Sequence, residues 1–200
     1  MNQYIKYMDE FPLIPADILP TNQEIIDSPY FGNHESVESK RHSFSLKYYS
    51  TRKVNQSLKE WLLDTFNQWE FAAGFVLFNA NMEPHKDLRD YTYNYILDTG
   101  GEDIHTNVFS GEVHKEKVTT WHEVRGGNNI EKIEELKLLE SVCLEKHRWH
   151  YLRTDLNHGV TGTHIRPRII LSVVPVEVMR VNNKVATDWW IENWQKDNWK

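Results

Sequence analysis

The chain has 200 residues, 40% hydrophobic and 12% aromatic, a composition that favours a single domain over residues 1–200 with a core needing no disulfide. A formal net charge of -6 excludes the broad basic surface that binds nucleic acid or anionic membranes nonspecifically, so no nucleic-acid partner is expected. One cysteine excludes an intramolecular disulfide, and no apolar run approaches the roughly 20 residues that span a bilayer. Because the start of the chain also lacks the pattern of a secretory signal, we expect a soluble, cytoplasmic protein without a membrane partner.

The first third of the chain predicts irregular structure, one strand and one helix. Four of the seven prolines lie between Phe11 and Pro29, which favours an irregular segment along the surface. SFSLKYY at 43–49 is strand-like. NQSLKEWLLDTFNQW at 55–69 carries apolar side chains at helical spacing, which predicts an N-terminal supporting helix that packs by one face.

The remainder predicts a mainly β fold, because short apolar or alternating segments follow one another without intervening helices. These segments are GFVLFNA (74–80), YTYNYIL (91–97), NVFSG (107–111), KVTTWHEV (117–124), LLESVCLE (138–145), RWHYLRT (148–154) and RIILSVVPV (168–176). Close spacing of this kind is typical of a sandwich or jelly roll. Two helices are also expected: a short one within EKIEELKLLE at 131–140 and a C-terminal one within the Trp-rich end at 186–199.

Two His-x-acid pairs are candidates for metal binding. His85 with Asp87 and His114 with Glu116 each have the spacing that places both side chains on one side of an extended strand. A site with two histidines and one carboxylate also needs a second histidine from a distant strand. His158 follows His85 after several predicted strands, whereas a pair at 114 leaves too few strands between. We therefore select His85, Asp87 and His158.

A basic residue completes the candidate site. Arg168 and Ser172 share one face of the last predicted strand, and a buried guanidinium needs a partner, for which a planar carboxylate is best suited. The dicarboxylate 2-oxoglutarate is such a partner, and the Ser172 hydroxyl is expected to contact the same carboxylate. Arg166 is the second choice and is expected at the surface. His150 and His164 are the rivals for the distal metal ligand.

The order and spacing of these motifs resemble the iron(II)- and 2-oxoglutarate-dependent dioxygenase superfamily, in particular its prolyl and aspartyl/asparaginyl hydroxylases. The motifs are PHKD (84–87) with Arg89 and Asn94, NHGV (157–160), and Arg168 with Ser172. The resemblance covers residues 75–176. It implies a double-stranded β-helix, that is a jelly roll, as the catalytic core over this range.

The resemblance also implies roles for individual residues. His85, Asp87 and His158 would hold Fe(II) as the catalytic centre, and Arg168 would pair with the distal carboxylate of 2-oxoglutarate. Asn94 would touch the cosubstrate or the substrate. Dioxygen is the other cosubstrate and ascorbate a possible reductant. Related halogenases lack the carboxylate ligand, so the presence of Asp87 favours hydroxylation as the reaction. The resemblance to hydroxylases favours a peptide or protein side chain as the substrate.

Two other functions remain open from the sequence. One is a cupin-like metalloenzyme that uses the same jelly roll and metal ligands without 2-oxoglutarate. The other is a noncatalytic jelly-roll binding module whose histidines are incidental. Succinate formation from 2-oxoglutarate would exclude the first, and stoichiometric metal binding would exclude the second.

Overall fold

The chain folds as two antiparallel β-sheets in a computed structural model that describes residues 4–27, 46–50, 56–67, 71–87, 89–111, 128–129 and 136–178. The strands are β1 (Ile5–Tyr7), β2 (Leu46–Ser50), β3 (Phe71–Phe78), β4 (Met82–Lys86), β5 (Tyr91–Asp98), β6 (His105–Ser110), β7 (Asn128–Asn129), β8 (Lys137–Cys143), β9 (Trp149–Arg153), β10 (Asn157–Thr161) and β11 (Arg168–Pro175). Helices α1 (Asn22–Asp27) and α2 (Gln56–Thr65) precede the main body, and a 3-10 turn spans Val176–Val178. None of the described helices is long and apolar enough to cross a membrane.

The strand order is that of a jelly roll. One sheet has the order β1-β9-β5-β11-β3-β2 and the other the order β7-β4-β10-β6-β8. From β3 onward the two halves of the chain pair like one long folded hairpin: β3 with β11, β4 with β10, β5 with β9 and β6 with β8. Because these four antiparallel pairs alternate between the sheets, they form a double-stranded β-helix, and the predicted fold class is confirmed.

Strands β5 and β11 in the six-stranded sheet are buried on both faces, and successive residues alternate between these faces. On β11, Leu171 and Val173 point to the outer face, where they pack with helix α2 and the N-terminal segment. Ile170 points to the inner face, into the space between the two sheets. Leu58 and Leu62 of α2 are buried in the outer cluster, so the N-terminal supporting helix is confirmed.

Several segment predictions are confirmed and three need comment. The strand-like segments at 43–49, 74–80, 91–97, 107–111, 138–145, 148–154 and 168–176 all contain strands, with ends shifted by a few residues. The helix expected at 131–140 is wrong from residue 137 onward, because Lys137–Cys143 pairs with β6 as strand β8. The segment 117–124 and the C-terminal helix at 186–199 lie outside the described residues.

Two strands of the structure are absent from the strand-like segments named from the sequence. Met82–Lys86 is strand β4 although it contains Pro84, and Asn157–Thr161 is strand β10. Neither has the alternating apolar pattern by which strands are identified in a sequence. Their pairing with each other, and of β10 with β6, makes them strands. These two strands carry the histidines of the candidate site.

Candidate metal centre

Strand pairing brings the two candidate histidines together. His85 of β4 lies opposite His158 of β10 in the antiparallel register, and their ring centroids are 4.4 Å apart. Asp87 follows β4 directly, and its carboxylate oxygens lie 3.8 Å from His85 Nε2 and 3.9 Å from His158 Nε2. One ligand atom from each of the three side chains lies within 4.8 Å of the others. We call His85, Asp87 and His158 the metal-ligand group. Among the described residues, no second group of this kind occurs.

Hydrogen bonds orient both imidazole rings. His85 Nδ1 lies 2.8 Å from the carbonyl oxygen of Glu83, and His158 Nδ1 lies 3.0 Å from that of Leu156. A carbonyl oxygen accepts only, so each Nδ1 carries the hydrogen and donates it. Each Nε2 lies within 4 Å of a carboxylate oxygen of Asp87, an arrangement typical of histidines that bind a metal through Nε2.

The carboxylate of Asp87 is held by Arg89 as well as lying close to the histidines. Arg89 donates from Nε to Asp87 Oδ2 at 2.8 Å, and its Nη2 lies 2.7 Å from the same oxygen. The backbone amide of Asp87 donates to the carbonyl of Thr154 at 2.9 Å, which ties the end of β4 to the β9–β10 connection. Burial opposes ionisation, but Arg89 and the two histidines outweigh it and lower the pKa of Asp87 from 3.8 to about 2. Asp87 is thus an anion at neutral pH.

His158 is neutral in this setting. Burial, followed by the charge of His85, lowers the pKa of His158 from 6.5 to about 4, against the opposing effect of Asp87. A neutral imidazole with its Nδ1 hydrogen bonded is the form that binds a divalent metal. Two imidazole nitrogens and one carboxylate within 4.8 Å of one another fit Fe(II), Mn(II) or a similar ion.

Arg168 lies in the interior between the sheets with an incomplete set of partners. The residue is 1% exposed, and its Nη2 donates to Thr106 Oγ1 at 2.9 Å. Its guanidinium carbon lies 5.6 Å from the centre of the Phe78 ring. Nε and Nη1 are buried and have no hydrogen-bond partner among the described residues. Burial lowers the pKa of Arg168 from 12.5 to about 10, so at neutral pH it remains a buried cation that pairs with no carboxylate of the described residues.

The distance from this cation to the histidines follows from strand register. Thr106 holds Arg168, and Val108, two residues further along β6, lies opposite His158. Two residues of antiparallel strand span about 7 Å, and both side chains point to the same face. The Arg168 guanidinium and the metal-ligand group therefore both face the interior between the two sheets, about one such step apart along β6.

Asn94 and Ser172 also face the interior, as the alternation of β5 and β11 predicted. They lie opposite each other in the register and are 6% and 3% exposed. Ser172 shares a hydrogen bond of 2.8 Å with Thr92, which reaches Asn94 Oδ1 at 3.5 Å. The tyrosines of β5, in contrast, face the outer cluster. Contacts of Asn94 and Ser172 with a cosubstrate stay predictions.

The alternative site residues named from the sequence lie outside the metal-ligand group. His150 is buried against β1, and its Nε2 accepts the backbone N–H of Glu145 at 3.3 Å. His164 lies in the β10–β11 loop, and neither histidine belongs to the metal-ligand group. Arg166 is exposed and paired with Asp98 at 2.8 Å, as expected for the second-choice arginine. The pair at 114 and 116 lies outside the described residues.

Two residues of the site were not identified from the sequence: Thr106, which contacts Arg168, and Arg89, which binds the carboxylate of Asp87. Thr106 precedes the predicted strand 107–111, yet it shares the parity of Val108 and therefore its face. Arg89 was noted only as part of the motif. Its position two residues after Asp87, beyond the end of β4, gave no signal that the side chain turns back onto the carboxylate.

The chain was compared with known proteins. No protein-family model and no curated protein matches it. Solved structures with a similar arrangement include an oxalate decarboxylase of Bacillus subtilis with Mn(II) centres, with TM-score 0.37 and 13% identity over 80% of this chain and 33% of that one. A vicilin of Corylus avellana (hazelnut) has TM-score 0.36 and 9% identity over 66% of this chain and 28% of that one. The chain spans a third or less of these proteins, and similarity at this level assigns no function.

Proposed function

We propose that this protein is an Fe(II)- and 2-oxoglutarate-dependent oxygenase that hydroxylates its substrate. The observation that carries the proposal is Arg168, whose buried Nε and Nη1 have no partner among the described residues and face the same interior as His85, Asp87 and His158. A buried cation without a partner is costly, and a bound carboxylate would compensate it. The step of about 7 Å along β6 from Thr106, beside Arg168, to Val108, opposite His158, suits a short dicarboxylate that contacts both the guanidinium and the metal.

In this proposal each residue has a distinct task. His85 and His158 would hold Fe(II) through Nε2, and Asp87 would hold it through the carboxylate that Arg89 orients. Bound Fe(II) would supply the activation of dioxygen coupled to oxidation of 2-oxoglutarate to succinate and carbon dioxide. Arg168 would bind the distal carboxylate by charge-assisted hydrogen bonds from Nε and Nη1.

Apolar side chains in the interior support the same chemistry. Val108, Val160 and Ile170 belong to one buried cluster on the inner faces of the two sheets. An apolar wall excludes water and strengthens the electrostatic interactions inside. We further propose, from the motif resemblance, a peptide or protein side chain as the substrate, modified in the cytoplasm.

A second candidate is a cupin-like metalloenzyme that does not use 2-oxoglutarate. Arg168 fits this candidate as well, because a small carboxylate substrate would pair with the same guanidinium. Both candidates predict stoichiometric metal binding, and they differ in what the metal-loaded protein does with 2-oxoglutarate.

The test measures metal content, cosubstrate binding and succinate formation on one preparation. We expect one Mn(II) or Fe(II) per chain, a visible absorption change when 2-oxoglutarate binds the Fe(II) protein without oxygen, and succinate when Fe(II), ascorbate and oxygen are present. Arg168→Met should keep the metal and lose most affinity for 2-oxoglutarate. Metal binding without any 2-oxoglutarate complex would favour the cupin-like candidate. Absence of stoichiometric metal would contradict both and leave a noncatalytic module.

A further inference from the structure

A second residue with unused polar atoms lies beside Arg168. His164, in the loop between β10 and β11, has both ring nitrogens buried without a hydrogen-bond partner among the described residues. A neutral imidazole has one N–H donor and one acceptor, and leaving a buried donor unpaired costs free energy. Nε and Nη1 of Arg168 likewise have no hydrogen-bond partner among those residues. Four unsatisfied nitrogens from two neighbouring side chains need a common explanation.

Two observations place the side chains of His164 and Arg168 near each other. A Cβ placed on Gly100 would lie 3.1 Å from Arg168 Cβ and 3.1 Å from His164 Nδ1, so both residues approach the same point of the backbone. The Phe78 ring is also shared. Its centre lies 5.6 Å from the Arg168 guanidinium carbon and 6.1 Å from the centre of the His164 ring.

The loop that carries His164 is held firmly in place. The backbone amides of Ile165 and Arg166 both donate to the carbonyl of Gly100, at 2.9 and 3.2 Å. The amide of Thr163 donates to Asp103 Oδ1 at 3.1 Å. The imidazole therefore stands beside Arg168 before any ligand arrives, as a preorganised binding residue must.

We propose that His164 is a second hydrogen-bond donor to the carboxylate bound by Arg168, so that Arg168, Thr106 and His164 together form the distal carboxylate subsite. This inference rests on the proposed function for the identity of the ligand, 2-oxoglutarate. A carboxylate has two oxygens with lone pairs to accept from both side chains. The subsite would make this protein select a 2-oxo acid with a second carboxylate over one without it.

The test compares two 2-oxo acids on Mn(II)-loaded protein by calorimetry. Pyruvate carries the oxo-acid group without the distal carboxylate, so it reports the metal end of the site alone. We expect His164→Phe, which keeps a ring against Phe78, to weaken 2-oxoglutarate binding about tenfold or more and to leave pyruvate binding unchanged. His164→Gln, which keeps an N–H donor, should recover part of the loss. His105→Gln, on the partly exposed outer side of β6, is the matched control and should change neither.

The outcomes separate this inference from the proposed function. If His164→Phe binds 2-oxoglutarate like the wild type, or loses both acids equally, His164 is not a carboxylate donor. If the wild type binds no 2-oxoglutarate, the proposed function fails. The subsite is then tested by the melting temperature of metal-free protein with and without glutarate. There, a rise in melting temperature for the wild type that is lost in His164→Phe supports the subsite. No rise for the wild type overturns it.

Discussion

The residues around the metal-ligand group are arranged by short polar contacts that orient each ligand. Carbonyl oxygens fix the hydrogen of both imidazoles on Nδ1, and Arg89 binds one oxygen of Asp87 through two nitrogens. The other oxygen of Asp87 remains directed at His85. Partners of this kind set the orientation and the basicity of a metal ligand. At this scale, Arg89 is the positioning residue with the largest expected effect.

Replacing Arg89 by Met should weaken Mn(II) binding about tenfold or more, because Asp87 loses the partner that orients it. Removal of a positive charge would by itself favour a cation, so a loss of affinity measures orientation. Calorimetric titration with Mn(II) gives the dissociation constant. Arg153→Met is the matched control, because Arg153 pairs with Asp155 two residues away in the same fashion, outside the group. Unchanged or tighter binding in the Arg89 variant would contradict the assigned role.

His150 predicts a pH dependence of stability. Burial, with a smaller contribution from Arg168, lowers the pKa of His150 from 6.5 to about 4. Between these values the unfolded chain binds a proton that the folded protein does not, so the free energy of unfolding falls as the pH falls from 6.5 to about 4. The contribution is on the order of 3 kcal/mol.

Urea unfolding of metal-free protein at several pH values measures this contribution. His150→Gln, whose amide oxygen can still accept the Glu145 N–H, should show a smaller loss of stability across the window than the wild type. Equal slopes in the variant and the wild type would show that His150 is protonated in the folded state as readily as in the unfolded one.

At the scale of elements, the site depends on how closely β4 and β10 approach. Gly159 of β10 lies against the backbone of β4. A Cβ at this position would be 2.6 Å from the carbonyl oxygen of Met82 and 3.1 Å from the nitrogen of Pro84. Both contacts are with backbone, which cannot yield without moving a strand. The absence of a side chain at this position therefore allows His158 to lie opposite His85.

Gly159→Ala should push β10 away from β4 and affect stability and metal binding together. We expect a loss of about 1–3 kcal/mol in the free energy of unfolding, as for other overpacked sites, and weaker Mn(II) binding because the histidines separate. Ser110→Ala, at the end of β6 in the same sheet, is the control and should change neither. A variant with wild-type metal affinity would show that the strand spacing is not what aligns the ligands.

For the whole molecule, a bound metal would join parts of the chain that are distant in sequence. His85 and Asp87 lie in the first half of the folded hairpin and His158 in the second. A ligand that binds only the folded state stabilises it in proportion to the logarithm of its concentration. The jelly roll should therefore be more stable with metal than without it.

Mn(II) at about 100 times its dissociation constant should raise the free energy of unfolding by about 2.7 kcal/mol, with a matching rise in melting temperature. EDTA should reverse the rise. His158→Ala should show none, whereas His105→Ala should respond like the wild type. A melting temperature independent of metal in the wild type would argue against a site formed across the two halves.

The sequence by itself determined the elements with strong local patterns and the identity of the candidate residues. Alternation in 91–97 and 168–176 gave both strands and the inward faces of Asn94 and Arg168, because side chains alternate with period two whatever the partner strand is. Order and spacing selected His85, Asp87 and His158.

Only the tertiary structure decided what these residues contact. It paired β4 with β10, placed Thr106 against Arg168, turned Arg89 onto Asp87 and brought His164 beside Arg168. The contacts of Arg89 and His164 are local, whereas the others join positions far apart in the chain, and β4 and β10 lack an apolar pattern of their own. Pairing across the folded hairpin, rather than local preference, makes β4 and β10 strands and brings the metal-ligand group together.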